Sequence, residues 1–156
     1  TMSYNAGYKV MYNGYHYDTG CIDFPKEKWQ EVQNRRIKEN RYFAYIKDKD
    51  LNKYVGYVNY QYDKDEDIYA CGILIEDKYR GKGYSKPALK LLIKEANKNN
   101  IKYLYDTFEK SREKALKLFL DVGFEIYEKT TANKFNKEVE CVIIRIDTNK
   151  ITNNTD

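Results

Sequence analysis

The spacing of hydrophobic positions along the chain changes period partway through. Over residues 42–47, 54–62 and 68–75, apolar and aromatic side chains recur in β-rich runs, as expected of half-buried strands. The polar segments between them, residues 48–53 and 63–67, are short, so the three runs predict an antiparallel meander. After Ile75 the period lengthens. Ala88, Leu89, Leu92, Ile93 and Ala96 fall on one helical face, predicting a helix over residues 85–97. Ser85 is its expected N-cap, and Pro87 sits in the first turn, where an absent N–H leaves no helical bond unmade. Residues 102–108 read as a strand. A second helix follows Ser111, with Ala115, Leu118, Phe119 and Val122 on one face and Gly123 at the C-terminal end. Residues 125–131 and 139–147 predict a closing antiparallel pair. Upstream, the Tyr-rich stretch 8–17 reads as an edge strand or loop, and Trp29, Val32 and Ile37 place an amphipathic helix over residues 25–40. The fold class is α/β (α+β), a single domain over residues 1–148, with a polar tail over 149–156 expected to fray.

Composition narrows the functional classes. The chain has 156 residues, the size of one domain. Hydrophobic residues make up 42%, but 17 residues are Tyr, so much of the core must be ringed by hydroxyls that need partners or water. The 28 basic and 24 acidic side chains are interleaved and give a net charge of +4. No single-sign stripe suited to a phosphate backbone is visible, and no nucleic-acid partner is expected. No apolar run approaches the ~20 residues of a membrane span, and Thr1-Met2-Ser3-Tyr4 lacks the features of a signal peptide. These observations predict no membrane partner and a cytoplasmic location. Cys21, Cys71 and Cys141 are widely spaced, and His16 is the one histidine, so no metal site follows. The cysteines read as small half-buried hydrophobes.

The chemistry is concentrated in Arg80-Gly81-Lys82-Gly83-Tyr84-Ser85-Lys86, which joins a strand to a helix. Small residues at 81, 83 and 85 let backbone N–H groups approach a ligand, and the positive end of the helix dipole faces the same point. Arg80, Lys82 and Lys86 add positive charge, which favours a diphosphate. The competing reading is an ordinary glycine-rich turn with solvated lysines. Two other phosphate loops fit poorly: a Walker loop needs a different glycine spacing, and the dinucleotide motif needs a third Gly and a parallel βαβ context.

The R-x-x-G-x-small pattern of residues 80–85, after a strand and opening a helix, resembles the pyrophosphate loop of the GNAT superfamily of N-acetyltransferases. Ala115, Leu118-Phe119 and Gly123-Phe124 are similar to a second segment of that family. The resemblance implies a central mixed, mostly antiparallel sheet with helices on both faces, acetyl-CoA as cosubstrate without a metal, and transfer of its acetyl group to a primary amine by direct attack on the thioester. It further implies that Ile73, Leu74 and Ile75 offer backbone groups to the pantetheine arm. The diphosphate would rest on Arg80, Gly81, Lys82, Gly83, Tyr84, Ser85 and Lys86. The second helix would border the thioester near Ser111, Arg112 and Phe119. Pantetheine is a string of amides, so a strand splayed from its neighbour can hold it as a pseudo-strand. Gly72 is the expected bulge, and the N–H near Leu74 the expected donor to the thioester carbonyl.

The chain departs from the family at the reacting centre. Phe119 stands where a Tyr often serves as the acid that protonates the thiolate. Arg112 replaces a frequent Asn and either reaches the cofactor or faces water. Tyr69 and Ala70 occupy the strand positions where a Glu would drain the amine's proton. Asp106 on the next strand, or a water chain to Glu66 and Asp67, is then the candidate base, with a surface or capping role the competing reading of Asp106, and Tyr105, Tyr69 or another phenol is the candidate acid. The alternative reading is a CoA-binding module with weak or lost catalysis. The acceptor, a small-molecule or peptide amine, would be selected by residues 8–29, the neighbouring helix and the final hairpin, whose Tyr-rich lining suits a cation. Homodimers are common in the family, and a homodimer is a possible state here.

Overall fold

The computed structural model describes residues 15–16, 21–22, 30–31 and 41–152. Strands β1 (Tyr15–His16) and β2 (Cys21–Ile22) form a short antiparallel pair. A mixed six-stranded sheet contains β3 (Arg41–Asp48), β4 (Lys53–Asp63), β5 (Ile68–Ile75), β6 (Tyr103–Glu109), β7 (Glu125–Lys134) and β8 (Lys137–Asp147) in the order β3-β4-β5-β6-β8-β7. Its neighbours are antiparallel except β5 and β6. Helix α1 (Ser85–Lys98) links those two strands, α2 (Glu113–Val122) follows β6, and α3 (Asn149–Thr152) ends the described chain. The helix expected over residues 25–40 lies outside the described residues apart from Gln30 and Glu31, which are helical.

Local chemistry sets these boundaries. Asp48 turns the chain between β3 and β4: its Oδ1 accepts from the N–H groups of Asp50 and Leu51, each at 2.9 Å. Asp63 does the same after β4 for Asp65 and Glu66, at 3.0 and 3.3 Å, the turn-forming use of an Asp side chain. Gly123 caps α2 with φ at 124°, and both its N–H and that of Phe124 return to Phe119 O, at 3.2 and 3.1 Å. Ser85 is not the cap of α1, and Ser111 lies one residue before the cap position of α2. The cap positions fall to Tyr84 and Arg112, neither with a side-chain cap bond, and Ser85 is the first helical residue. Residues 149–152 of the expected tail form α3, which buries Ile151, and the rest of the tail lies outside the described residues.

Strand alternation and register sort the sheet's faces. On one lie Val58 opposite Ile73, Tyr60 opposite Cys71, Leu104 opposite Ile146 and Phe108 opposite Val142. These pack with Leu89, Leu92 and Ile93 of α1 and Phe119 and Val122 of α2 in one core. Phe119 is 1% exposed. Its ring meets Phe108 and Phe124 edge-on, with centroids 4.9 and 5.0 Å apart. The other face carries Tyr57, Asn59, Tyr105, Thr107 and Arg145. Asn99 Nδ2 donates to the buried Tyr60 hydroxyl at 2.7 Å, meeting the need of one core phenol.

The bulge anticipated at Gly72 is not in the β4–β5 ladder, which runs in unbroken register from Gly56 opposite Ile75 to Asp63 opposite Ile68. The irregularity lies between β3 and β4, at Ile46/Lys47. Gly56, the next residue on β4, has no room for a side chain: a Cβ there would lie 2.0 Å from the carbonyl oxygen of Leu74.

Two stability predictions follow from this packing. Gly56→Ala forces β4 away from β5 and lowers unfolding free energy by about 1–3 kcal/mol in urea melts. Phe119→Tyr buries a hydroxyl among phenylalanine rings and costs about 1–3 kcal/mol in the same assay.

Candidate functional site

β5 and β6 meet at one register pair, Ala70 opposite Tyr105. No further ladder pair joins them, so residues 71–75 and 106–109 flank a gap without strand pairing. Backbone direction on the β5 side can be read from its neighbours. The carbonyl of Leu74 lies against Gly56 of β4, and Glu76 N–H donates to Val55 O at 2.8 Å. Alternation along the strand therefore turns the N–H and C=O of Ile73 and Ile75 toward the gap. Leu74 itself turns its backbone to β4, so the gap-facing groups near it belong to Ile73 and Ile75.

The gap runs into the glycine loop. A short 3-10 helix, Asp77–Tyr79, follows β5. Gly81 and Gly83 then adopt φ of 74° and 87°, and a Cβ on either would meet nothing within 4 Å. Left-handed backbone, rather than crowding, calls for glycine here. The loop's backbone bonds stop at Arg80 N–H to Asp77 O, 3.1 Å, and resume at Ala88 N–H to Tyr84 O, 3.2 Å. The intervening N–H groups make no loop or cap backbone bond among the described residues. They lie around the N-terminus of a fourteen-residue helix, a fitting cradle for a diphosphate.

The loop's cations are partly committed to holding it in place. Arg80 Nε donates to Ile75 O at 3.0 Å, and its guanidinium lies 3.6 Å from Asp77, folding the loop back onto β5. Lys86 pairs with Asp121 of α2 at 3.2 Å, while Lys82 lies over the Tyr79 ring. Lys117 and then Lys86 hold the Asp121 carboxyl below its usual range. Tyr84 anchors the far side, donating to Asp48 Oδ2 at 2.6 Å. That bond is the main cause of the lowered Asp48 carboxyl and the raised Tyr84 phenol.

The candidate catalytic residues are separated by strand alternation. Asp106 is 5% exposed, on the helix-covered face between Leu104 and Phe108, and its Oδ1 accepts the Thr107 N–H at 2.8 Å. Burial, then the charge of Asp106, pushes the Cys71 thiol well above its ordinary range. Cys71 is thus an inert core thiol. Cys141 is also buried, and burial raises its thiol first; the side chain of Cys21 lies outside the described set. Tyr69 shares the Asp106 face and packs against the rings of Tyr60 and Tyr62. Tyr105 points to the opposite face, where its hydroxyl accepts from Arg145 at 3.3 Å. Arg112 is exposed, with its guanidinium 5.6 Å from the Phe108 centroid. Phe119 is a core residue rather than part of the gap's lining. Sequence reasoning missed Arg145 and Asp48, which reach their partners only through strand register and a contact spanning 36 residues. Residues 8–29, expected to select the acceptor, lie outside the described residues except for the short β1 and β2 strands.

The fold has counterparts among known structures. A family model described as the acetyltransferase (GNAT) family matches residues 10–124. No curated protein sequence matches the chain. A spermidine N-acetyltransferase from Vibrio cholerae, solved with CoA and spermine, superposes with a TM-score of 0.72 at 15% identity, covering 92% of this chain and 85% of that one. A chimera of the Vibrio cholerae enzyme and hSSAT gives 0.72 at 16% identity, with 83% and 81% covered. A GNAT-family acetyltransferase from Streptococcus pneumoniae gives 0.65 at 18%, with 80% and 77% covered. At these identities the structures establish a shared fold, while the family model spans most of the chain: this protein belongs to the GNAT acetyltransferase family.

Proposed function

We propose that the protein transfers the acetyl group of acetyl-CoA to a primary amine by direct attack on the thioester. The observation carrying this reading is the adjacency of two features: the β5–β6 stretch beyond its single register pair, and the loop at the N-terminus of α1 whose N–H groups make no loop or cap backbone bond among the described residues. An amide chain ending in a diphosphate fits the first through hydrogen bonds and the second through main-chain donors and the helix dipole. Gly81 and Gly83 keep that cradle open, Arg80 and Tyr84 fix its two sides, and Lys82 adds positive charge. Arg112, at the β6 side, offers a further cation.

Acetyl-CoA supplies the activated acetyl group. The protein's contribution at the closed end of the gap falls to residues near Ala70 and Tyr105. Because Arg145 donates to the Tyr105 oxygen, Tyr105 keeps its own O–H to donate elsewhere, and it takes the acid role that Phe119 leaves unfilled. Asp106 lies on the opposite, helix-covered face of the same strand and is 5% exposed, so the amine's proton leaves through water toward the acidic turn at Glu66 and Asp67. The alternative of a CoA-binding module without catalysis rests on Phe119. It is distinguished by following thiol release and thermal stability together: CoA raises the melting temperature under both readings, but only catalysis gives amine-dependent thiol release. A chain that CoA leaves unstabilised contradicts both.

Three outcomes are expected with the purified protein. Gly83→Val closes the cradle and weakens CoA binding in calorimetry while the domain stays folded. Tyr105→Phe retains CoA affinity but lowers kcat by about 100-fold, the smaller end of a positioned acid's contribution. Tyr84→Phe weakens CoA binding several-fold by releasing the loop from Asp48. The same release occurs in acid, with a definite sign: the folded Asp48 carboxyl titrates below its ordinary value, so the tether's contribution is present above that range and is lost as pH falls through it. Calorimetric titration of CoA at stepwise lower pH checks this, with Tyr84→Phe showing the smaller change.

A further inference from the structure

Arg145 stands out among the described cations. It is half-buried on β8, and its guanidinium packs against Tyr103 of β6 at 4.5 Å and Tyr127 of β7 at 4.3 Å, from the strands on either side. One nitrogen donates to Tyr105. No carboxylate among the described residues pairs with it. Glu125, opposite in register, is bonded to Lys150 at 3.1 Å. Asp147, on the same face, accepts from Asn149 N–H at 2.9 Å. The group borders a cavity shared with Tyr103, Glu125, Asp147 and Lys150. Three phenols thus hold a planar fork of donors whose remaining N–H groups have no protein acceptor among the described residues.

We infer that Arg145 docks a carboxylate carried by the amine acceptor. The inference rests on the acetyl-transfer reading for its substrate role. Tyr105 stands opposite Ala70 across the β5–β6 junction and opposite Arg145 on its other side, so Arg145 lies one strand from the junction where the acceptor would meet the thioester. A guanidinium offers two parallel N–H groups to a carboxylate, and the tyrosine rings restrict it in advance of binding. A phosphate would call for a second free cation lining the cavity, where Lys150 is occupied by Glu125 and by Gly123 O, at 3.2 Å, and Lys102, over the Tyr103 ring, is not among the lining residues. A polyamine would instead bring like charge beside Arg145. The favoured acceptor class is therefore an amino acid or other amino-carboxylate.

Lysine and 1,5-diaminopentane differ by a single carboxylate and make a matched test. Calorimetry on the CoA-loaded full chain is expected to show lysine binding about tenfold or more tightly than the diamine, in line with a charge-assisted bidentate contact. Arg145→Gln should remove that preference, and Arg145→Lys, which keeps charge without the fork, should retain part of it. Melting curves establish that each variant is folded, and the wild-type ratio decides even where a variant does not fold. Equal binding, tighter diamine binding, no binding of either probe, or a preference that survives Arg145→Gln overturns the assignment. Thiol release is read in parallel. An Arg145-dependent lysine preference without release keeps the docking site and contradicts acetyl transfer; release from both amines without a preference does the reverse.

Discussion

The separation of two parallel strands beyond a single point of contact governs the rest of the structure. Parallel neighbours need a crossover, and here it is α1, which must begin at the C-terminal end of β5. The gap between β5 and β6 opens at that same end. One topological choice therefore aligns strand amides, a turn of left-handed glycines and a helix N-terminus along a continuous path. Ligand sites of open α/β sheets lie beyond the carboxyl ends of strands for the same reason. The β4–β5 ladder keeps full register through Gly56, so the opening is confined to the other side of β5.

Charge in the loop contributes to its shape as well as to ligand attraction. Arg80 ties the loop to Ile75, and Lys86 reaches Asp121 across to α2. Tyr84 links it to the β3–β4 turn through Asp48, which already bonds two turn amides. Three contacts thus fix a segment whose main-chain donors are left available. Ordering such a loop before binding reduces the entropy lost when a ligand arrives. The exposed ion pairs add little stability by themselves, and their value lies in geometry.

Periodicity made the sheet and helices legible. The meander, both longer helices and the closing pair lie where the pattern placed them, because each apolar stripe faces the same core. The loop was legible because glycine spacing records backbone conformation directly. Helix caps were less so: Ser85 looked like a cap by composition, but the turn carries helical geometry one residue earlier, at Tyr84. Side-chain partnerships distant in sequence left no local signal. Tyr84 with Asp48, and Arg145 with three tyrosines, depend on register and connectivity that composition does not encode. With 17 tyrosines, no sequence feature singled out Tyr105 from its neighbours.

Phe119 shows how a missing motif residue acquires meaning from packing. Read alone, it is a lost hydroxyl; between Phe108 and Phe124 it completes an aromatic core. Restoring the hydroxyl there would place a donor in the core rather than at the gap. Under the proposed reaction the acid must come from β6, whose consecutive residues Tyr105 and Asp106 point to opposite faces. That alternation puts the phenol on the open face and buries the carboxylate under the helices. Arg145 lies beside Tyr105 on that face, so the proposed acid and the proposed carboxylate dock are neighbours.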